Sequence, residues 1–279
     1  MAEPGFDRAR FAARLGTRRL GRTLIARATV ESTNDVAWEA LAAGAPEGTA
    51  VVADAQTRGR GRAGRSWHLA EGKGLALSAI LGLGCELPDG DGRESGRATG
   101  VLPLAAGLAL ARGLERLGVH AELKWPNDLL LSGRKLSGIL CEARRAAEAG
   151  GPAADSVVIG AGVNVAEARS DFPPEIRDAS TSLALEGFAL DRERVAAEFL
   201  NALEPLWETL EDGGREPVIE AWRRRAEFWG RPVTVRTPAG VLSGTARGLE
   251  PDGALVLALE VGREIAVHAG DVELGVWGR

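Results

Sequence analysis

The chain contains no tyrosine, one methionine, two cysteines and three histidines among its 279 residues. Each scarcity removes a class of explanation. Cys85 and Cys141 sit in no C-x-x-C or C-x-x-H spacing, so they build neither a disulfide framework nor a zinc site, and a reducing, cytoplasmic setting is expected. His68, His120 and His268 are scattered, and no structural metal is expected. The least charged runs, 74–85 and 101–111, fall short of the roughly 20 apolar residues that span a bilayer, so no transmembrane helix is expected. Arg18 and Arg19 look like part of a twin-arginine export signal, but Arg22 and Arg27 interrupt the apolar stretch it requires.

With 45% hydrophobic residues the chain can bury a sizeable core, and its length allows one large domain with a small companion. A formal net charge of -5 argues against a bulk electrostatic grip on nucleic acid. Against that background, residues 58–67 stand out as R-G-R-G-R-A-G-R-S-W. Arg58, Arg60, Arg62 and Arg65 are interleaved with Gly59, Gly61 and Gly64, and no acidic residue occurs between Asp54 and Glu71. Arginine offers a planar, permanently charged fork for phosphate or carboxylate, and glycine lets a ligand approach the main chain closely. The stretch reads as an anion-binding loop, with a solvated or RNA-touching R-G tract as the alternative.

Periodicity places this loop in a fold. Residues 24–30 read as a strand, and Glu31, Ser32, Thr33 and Asn34 as a turn into a helix stopped at Gly44, with Ser32 or Thr33 as its cap. Strands over 48–55 and 74–81 bracket the loop, which a disordered tract would lack. A glycine-rich loop over 82–96 leads to a helix over 101–117. Strands over 121–124, 129–131 and 134–142 follow, then a loop over 146–154 and a strand over 156–165, which makes the middle of the sheet a meander. Helices are expected over 191–211 and 217–228. Beyond Gly230, turns at 238–240, 251–253 and 262–263 separate four or five short strands suited to a small barrel. Residues 1–23 carry a helical pattern through Phe6, Phe11 and Leu15, in a segment too short for a helix-turn-helix unit.

A second constellation is K-W-P-N-D at 124–128. Pro126 cannot continue a central strand, so Asn127 and Asp128 project from a turn, where an amide and a carboxylate could read a nucleotide or help hold magnesium. A plain hairpin turn over a packed Trp125 explains the same residues. Lys135 lies on the next strand, near Gly138.

Taken in order, S-T-N at 32–34, Q-T-R-G-R-G-R-A-G-R-S-W at 56–67, K-W-P-N-D, R-K-L-S-G at 134–138 and G-A-G-V-N at 160–164 strongly resemble the catalytic domain of biotin protein ligases. The resemblance covers 24–229, after a short N-terminal segment at 1–23, and residues 230–279 look like that family's C-terminal SH3-like β-barrel. It implies an α+β fold, a mixed sheet flanked by helices, as in class II aminoacyl-tRNA synthetases and lipoyl ligases.

The resemblance also implies a reaction in two steps. Biotin and ATP give biotinyl-5′-adenylate and pyrophosphate, and a lysine of an apo biotin carboxyl carrier protein domain then takes the biotinyl group. By the same resemblance Ser32, Thr33 and Gln56 bind the ureido head of biotin, with Asn34 supporting their turn. Gly59, Arg60, Gly61 and Arg62 form a loop that closes over biotin and the adenylate, with Arg62 and Arg65 toward the phosphates. Trp67 covers the adenine, while Asn127, Asp128 and Asn164 hold the nucleotide, with Mg²⁺ near Asp128. Lys135 stands by the biotin carboxyl group and, with Arg62, stabilises developing charge.

Two departures accompany the match. Residues 1–23 cannot hold the winged helix of family members that repress transcription, so a ligase without DNA binding is expected, as a monomer or homodimer away from membranes. Ala76 also stands where such enzymes often place an aromatic residue. A lipoate or octanoate ligase or transferase of the same fold is the alternative enzyme, and an R-G-rich RNA-binding protein the alternative outside enzymes.

Overall fold

The computed structural model describes residues 5–82, 100–145, 155–260 and 262–274. Apart from Gly82, the loops expected over 82–96 and 146–154 lie outside them. Seven strands form the central sheet: β1 (Leu24–Val30), β2 (Ala50–Gln56), β3 (Leu75–Gly82), β4 (Glu122–Lys124), β5 (Asp128–Leu131), β6 (Arg134–Arg145) and β7 (Asp155–Val163). Their order is β1-β2-β3-β7-β6-β5-β4. β1 and β2 are parallel, joined through helix α2 (Thr33–Ala42), and every other neighbouring pair is antiparallel. The meander is present as β4 to β7. Its last strand closes onto β3, a pairing that no local pattern announces.

Alternation along β3 and β7 gives the sheet two different faces. Leu75, Leu77, Ala79 and Leu81, with Val157, Ile159, Ala161 and Val163, point into the large core. That core is completed by α3 (Val101–Arg116), α4 (Arg192–Glu211) and α5 (Arg215–Arg225), which contribute Leu104, Leu108, Phe199, Leu203, Trp207 and Trp222. The opposite face packs α2 over only a small cluster of Ala37, Trp38, Val51, Ile80 and Val158. Beyond that cluster this face bears Ala76, Ser78, Gly138, Leu140, Gly160 and Gly162 and stays open for a site.

Three local readings change in the structure. The N-terminal residues form only a short helix, α1 (Arg8–Ala12), yet Phe6, Phe11, Leu15 and Leu20 are buried in the same core as the sheet. α5 begins at Arg215, two residues before the expected start, and ends early because Phe228 leaves the helix and, with Trp229, packs against Trp222, with ring centroids 6.0 and 5.8 Å away. Ser32 occupies the cap position of α2, but its side chain makes no capping hydrogen bond. Its hydroxyl is left for the cavity below.

The C-terminal residues form a second, five-stranded antiparallel sheet of β8 (Pro232–Thr237), β9 (Gly240–Leu249), β10 (Leu255–Ala258), β11 (Glu264–Val267) and β12 (Asp271–Leu274), in the order β11-β10-β9-β8-β12. It touches the first sheet through Trp125, whose indole N–H donates to the Gly253 carbonyl at 3.0 Å. The tryptophan is packed, as a plain hairpin turn requires. Of the polar residues after it, Asn127 lines the cavity described below and Asp128 is buried beside it.

Candidate active site

Register builds the site floor as rows running across three strands. Ala76, Gly162 and Gly138 form one row, Ser78, Gly160 and Leu140 the next, and Ile80, Val158 and Glu142 the third. The glycines are spacers with identifiable occupants. A Cβ on Gly160 would lie 2.4 Å from Asn34 Oδ1, and one on Gly162 would lie 2.3 Å from Trp67 Cε2. The Trp67 ring thus rests on the Gly162 and Gly138 backbone, while the Asn34 amide fills the space over Gly160. Above this floor is a cavity of about 260 Å³.

One end of the cavity is small and polar. Ser32, Thr33, Asn34 and Gln56 line it, and the first three are almost wholly buried. Gln56 Oε1 accepts the Thr33 N–H at 2.9 Å, so its amide nitrogen is turned elsewhere. Ala76 lines the wall between this end and Trp67.

The 58–67 segment folds back over the cavity as a small hairpin. Arg60 bridges to Ser66, Gly61 N donates to Arg65 O at 2.7 Å, and Trp67 N donates to Gly59 O at 2.8 Å. Its turn passes through Ala63 at φ 54° and Gly64 at φ 73°, a conformation that costs an alanine more than a glycine. Although the segment lacks acidic residues, tertiary contacts neutralise most of its charge. Arg58 pairs with Glu31 at 3.0 Å, Arg60 with Asp35 at 2.5 Å and Glu142 at 3.0 Å, and Arg65 with Asp271 of β12 at 2.8 Å.

Arg62 differs from the other three. Among the described residues its side-chain partner is a neutral amide, Asn127 Oδ1 at 3.1 Å. Burial pulls its guanidinium below arginine's ordinary value, the Asp271 charge opposes that pull, and Arg65 adds to it. It remains a cation. The result is a half-buried positive charge facing the cavity, with no anion paired to it among the described residues.

The remaining expected residues divide. Lys135 lines the cavity, with Nζ 2.7 Å from Asp128 Oδ1 and 5.9 Å from the Trp67 ring centroid. Asn127 and Asn164 also line it, but each spends one amide N–H on backbone, Asn127 on Ile139 O and Asn164 on Thr181 O, both at 2.8 Å. Gly59 and Asp128 do not line it. Gly59 backs the hairpin, where a Cβ would meet Trp67 O at 2.5 Å. Asp128 is buried between Lys135 and Lys124, the latter 4.0 Å away. A carboxylate held by two lysines does not fit a magnesium ligand, and among the described residues no group of three or more His, Cys, Asp or Glu side chains could hold a metal ion.

Sequence reading did not single out several groups at the site. His68, Phe172, Ile176 and Ser180 line the cavity, Phe172 and Ile176 coming from the irregular stretch around Pro173 and Pro174. Cys141 lies nearby, and burial pushes its thiol up to about 12, against the pull of Arg62. It stays protonated and is no nucleophile at neutral pH.

Residues 26–164 match the Biotin/lipoate A/B protein ligase family and residues 228–275 the Biotin protein ligase C terminal domain. The chain is 36% identical over 248 residues to a biotin--[acetyl-CoA-carboxylase] ligase of Mycobacterium tuberculosis, covering 86% of this chain and 85% of that one. It belongs to the biotin protein ligase family. It is also 36% identical over 263 residues to the bifunctional ligase/repressor BirA of Bacillus subtilis, covering 94% of this chain and 77% of that one. Among solved structures, a biotin protein ligase from Aquifex aeolicus in complex with biotin and ATP superposes with a TM-score of 0.73 at 27% identity, covering 91% of this chain and 99% of the other. The mixed sheet and the five-stranded C-terminal sheet are therefore those of a biotin protein ligase, and among the described residues no helix is long and apolar enough to cross a membrane.

Proposed function

We propose that the protein joins biotin to ATP as biotinyl-5′-adenylate, releasing pyrophosphate, and then transfers the biotinyl group to a lysine of a biotin carboxyl carrier domain in the cytoplasm. The observation that carries this reading is the half-buried charge of Arg62, unpaired among the described residues, at one side of a cavity whose other end is rich in uncharged hydrogen-bonding groups. A ligand with an uncharged polar head and an anionic tail matches that polarity.

The residue roles follow from placement. Ser32, Thr33 and Gln56 take the ureido head, and the short chain of biotin runs past Ala76 toward Lys135. There a biotin carboxylate oxygen attacks the α-phosphorus and pyrophosphate leaves. Two anions must approach for this to happen, and Lys135 with Arg62 reduces their repulsion and holds charge that grows on the phosphate oxygens. Arg65 exchanges Asp271 for phosphate. The adenine packs between Trp67 and the apolar side chains of Phe172 and Ile176, near Asn164. Magnesium enters with the nucleotide substrate.

In the second step an acceptor lysine nitrogen attacks the biotinyl carbonyl and AMP leaves. The mixed anhydride would hydrolyse if water reached it, and the hairpin over the cavity shields it until the acceptor arrives. The test is biotin-dependent pyrophosphate release from MgATP, followed by mass gain on an apo carrier domain, with lipoate and octanoate run in parallel. Turnover with either of those acids but not with biotin would refute the proposal.

A further inference from the structure

Glu142 was not singled out by sequence reading and does not line the cavity, yet it is the meeting point of three elements. It lies on β6, in the row of Ile80 and Val158. Its carboxylate accepts from Asn34 Nδ2 at 2.9 Å and Trp38 Nε1 at 3.1 Å, both on Oε2, and from Arg60 Nη2 at 3.0 Å on Oε1. These donors come from the start of α2, its second turn and the hairpin.

The consequence is directional. A carboxylate only accepts, so the Asn34 amide must present its nitrogen to Glu142 and its oxygen to the other side. On that side is Ser78 Oγ, at 2.6 Å from Asn34 Oδ1, and a hydroxyl facing a carbonyl oxygen must donate. The single Ser78 proton is then spent. Toward Thr33 Oγ1, 2.8 Å away, Ser78 Oγ can therefore only accept. The other protein neighbour of Thr33 Oγ1, Gln56 Oε1 at 3.2 Å, is also an acceptor. Whichever it chooses, the Thr33 proton points into the protein and its lone pair into the cavity.

We propose that Glu142 is a positioning residue that sets the hydrogen-bond direction of this chain, so that Thr33 Oγ1 meets the ligand as an acceptor for N–H. The assignment rests on the biotin reading, because a ureido ring supplies N–H groups, whereas a dithiolane or a plain acyl chain supplies none. Without the carboxylate the Asn34 amide can turn over, Ser78 can donate toward Thr33, and the Thr33 proton is free to face the ligand, where it opposes an N–H. Glu142 thereby selects for ureido ligands without touching them.

Two substitutions separate this from the ion pair with Arg60. Glu142→Gln keeps one oxygen for Asn34 and Trp38 while losing the charge toward Arg60; Glu142→Met removes both. Biotin affinity is measured by titration calorimetry without ATP, with a thermal melt of each variant. The expected result is a loss of about threefold or less for Glu142→Gln and of about tenfold or more for Glu142→Met, roughly what one misdirected hydrogen bond costs. If Glu142→Met does not fold, Ser78→Ala takes its place, since it breaks the chain between Asn34 and Thr33 with a smaller change; a loss of about fivefold is expected. Wild-type affinity in the folded Met variant, or in the Ser78→Ala variant when that takes its place, overturns the proposal, and so do equal losses in the Gln and Met variants. Failure of the wild-type protein itself to bind biotin overturns the functional reading instead.

Discussion

The contact between Trp67 and the sheet allows a graded test of the nucleotide end of the site. We predict that Gly162→Ala impairs use of ATP while sparing biotin. The new Cβ would lie 2.3 Å from Trp67 Cε2, 2.5 Å from Nε1 and 2.8 Å from Cδ2. Carbon atoms pack at about 3.5 to 4.0 Å, so the ring must lift by roughly 1 Å or more. The backbone cannot yield, because β7 is bonded on both sides, to β3 and to β6. Trp67 therefore moves, and overpacking of this kind costs about 1 to 3 kcal/mol, which corresponds to roughly fivefold to a hundredfold in an equilibrium constant. Gly138→Ala is the internal control. Its Cβ would stand 3.3 Å from Trp67 Cζ3 and 3.5 Å from the Lys135 side chain, so a much smaller effect is expected. Pyrophosphate release at varied ATP gives the KM for the nucleotide, and calorimetry gives the biotin affinity. An unchanged ATP dependence in Gly162→Ala, or a larger defect in Gly138→Ala, would refute the reasoning.

Three further outcomes follow from the same geometry. Arg62→Gly should speed dissociation of biotinyl-5′-adenylate by about tenfold or more, from a lost charged hydrogen bond worth about 1.5 to 3 kcal/mol, and leave biotin affinity nearly intact; stopped-flow release kinetics that match wild type would remove Arg62 from its assigned role. Asp271→Asn deletes a half-exposed ion pair of little stabilising value and frees Arg65, so the melting temperature should hold while the KM for ATP falls about twofold to fivefold at low salt; a rise in KM would count against competition between Asp271 and phosphate. Glu167, 1% exposed, is pushed by burial up to about 7 from 4.5, against nearby backbone N–H groups and with Asp171 adding to the rise. The folded protein therefore holds this proton more tightly than the unfolded chain, and the associated stability, on the order of 3 kcal/mol, is present below about pH 4.5 and lost as pH rises to about 7. Glu167→Gln should show a stability advantage over wild type that grows between pH 5 and pH 8, and a pH-independent difference in denaturation midpoints would contradict this.

What could be read in the chain alone was whatever depends on local order. Strand β1 and helix α3 announced themselves through periodicity, and the hairpin through a run of arginine and glycine held between two apolar strands. The motif order at 32–34, 56–67, 124–128, 134–138 and 160–164 sufficed to indicate the family. What remained hidden was set by register and long-range pairing. Small residues at 160 and 162 look like weak points in a strand until β7 pairs with β3 on one side and β6 on the other, which turns them into the floor under Asn34 and Trp67. The charge of the 58–67 segment looked unneutralised because its counterions, Asp35, Glu142 and Asp271, lie far away in sequence. Composition determined that a cationic loop exists. Tertiary structure alone decided that Arg62 has no ion-pair partner among the described residues, because electrostatic pairing depends on distance in space.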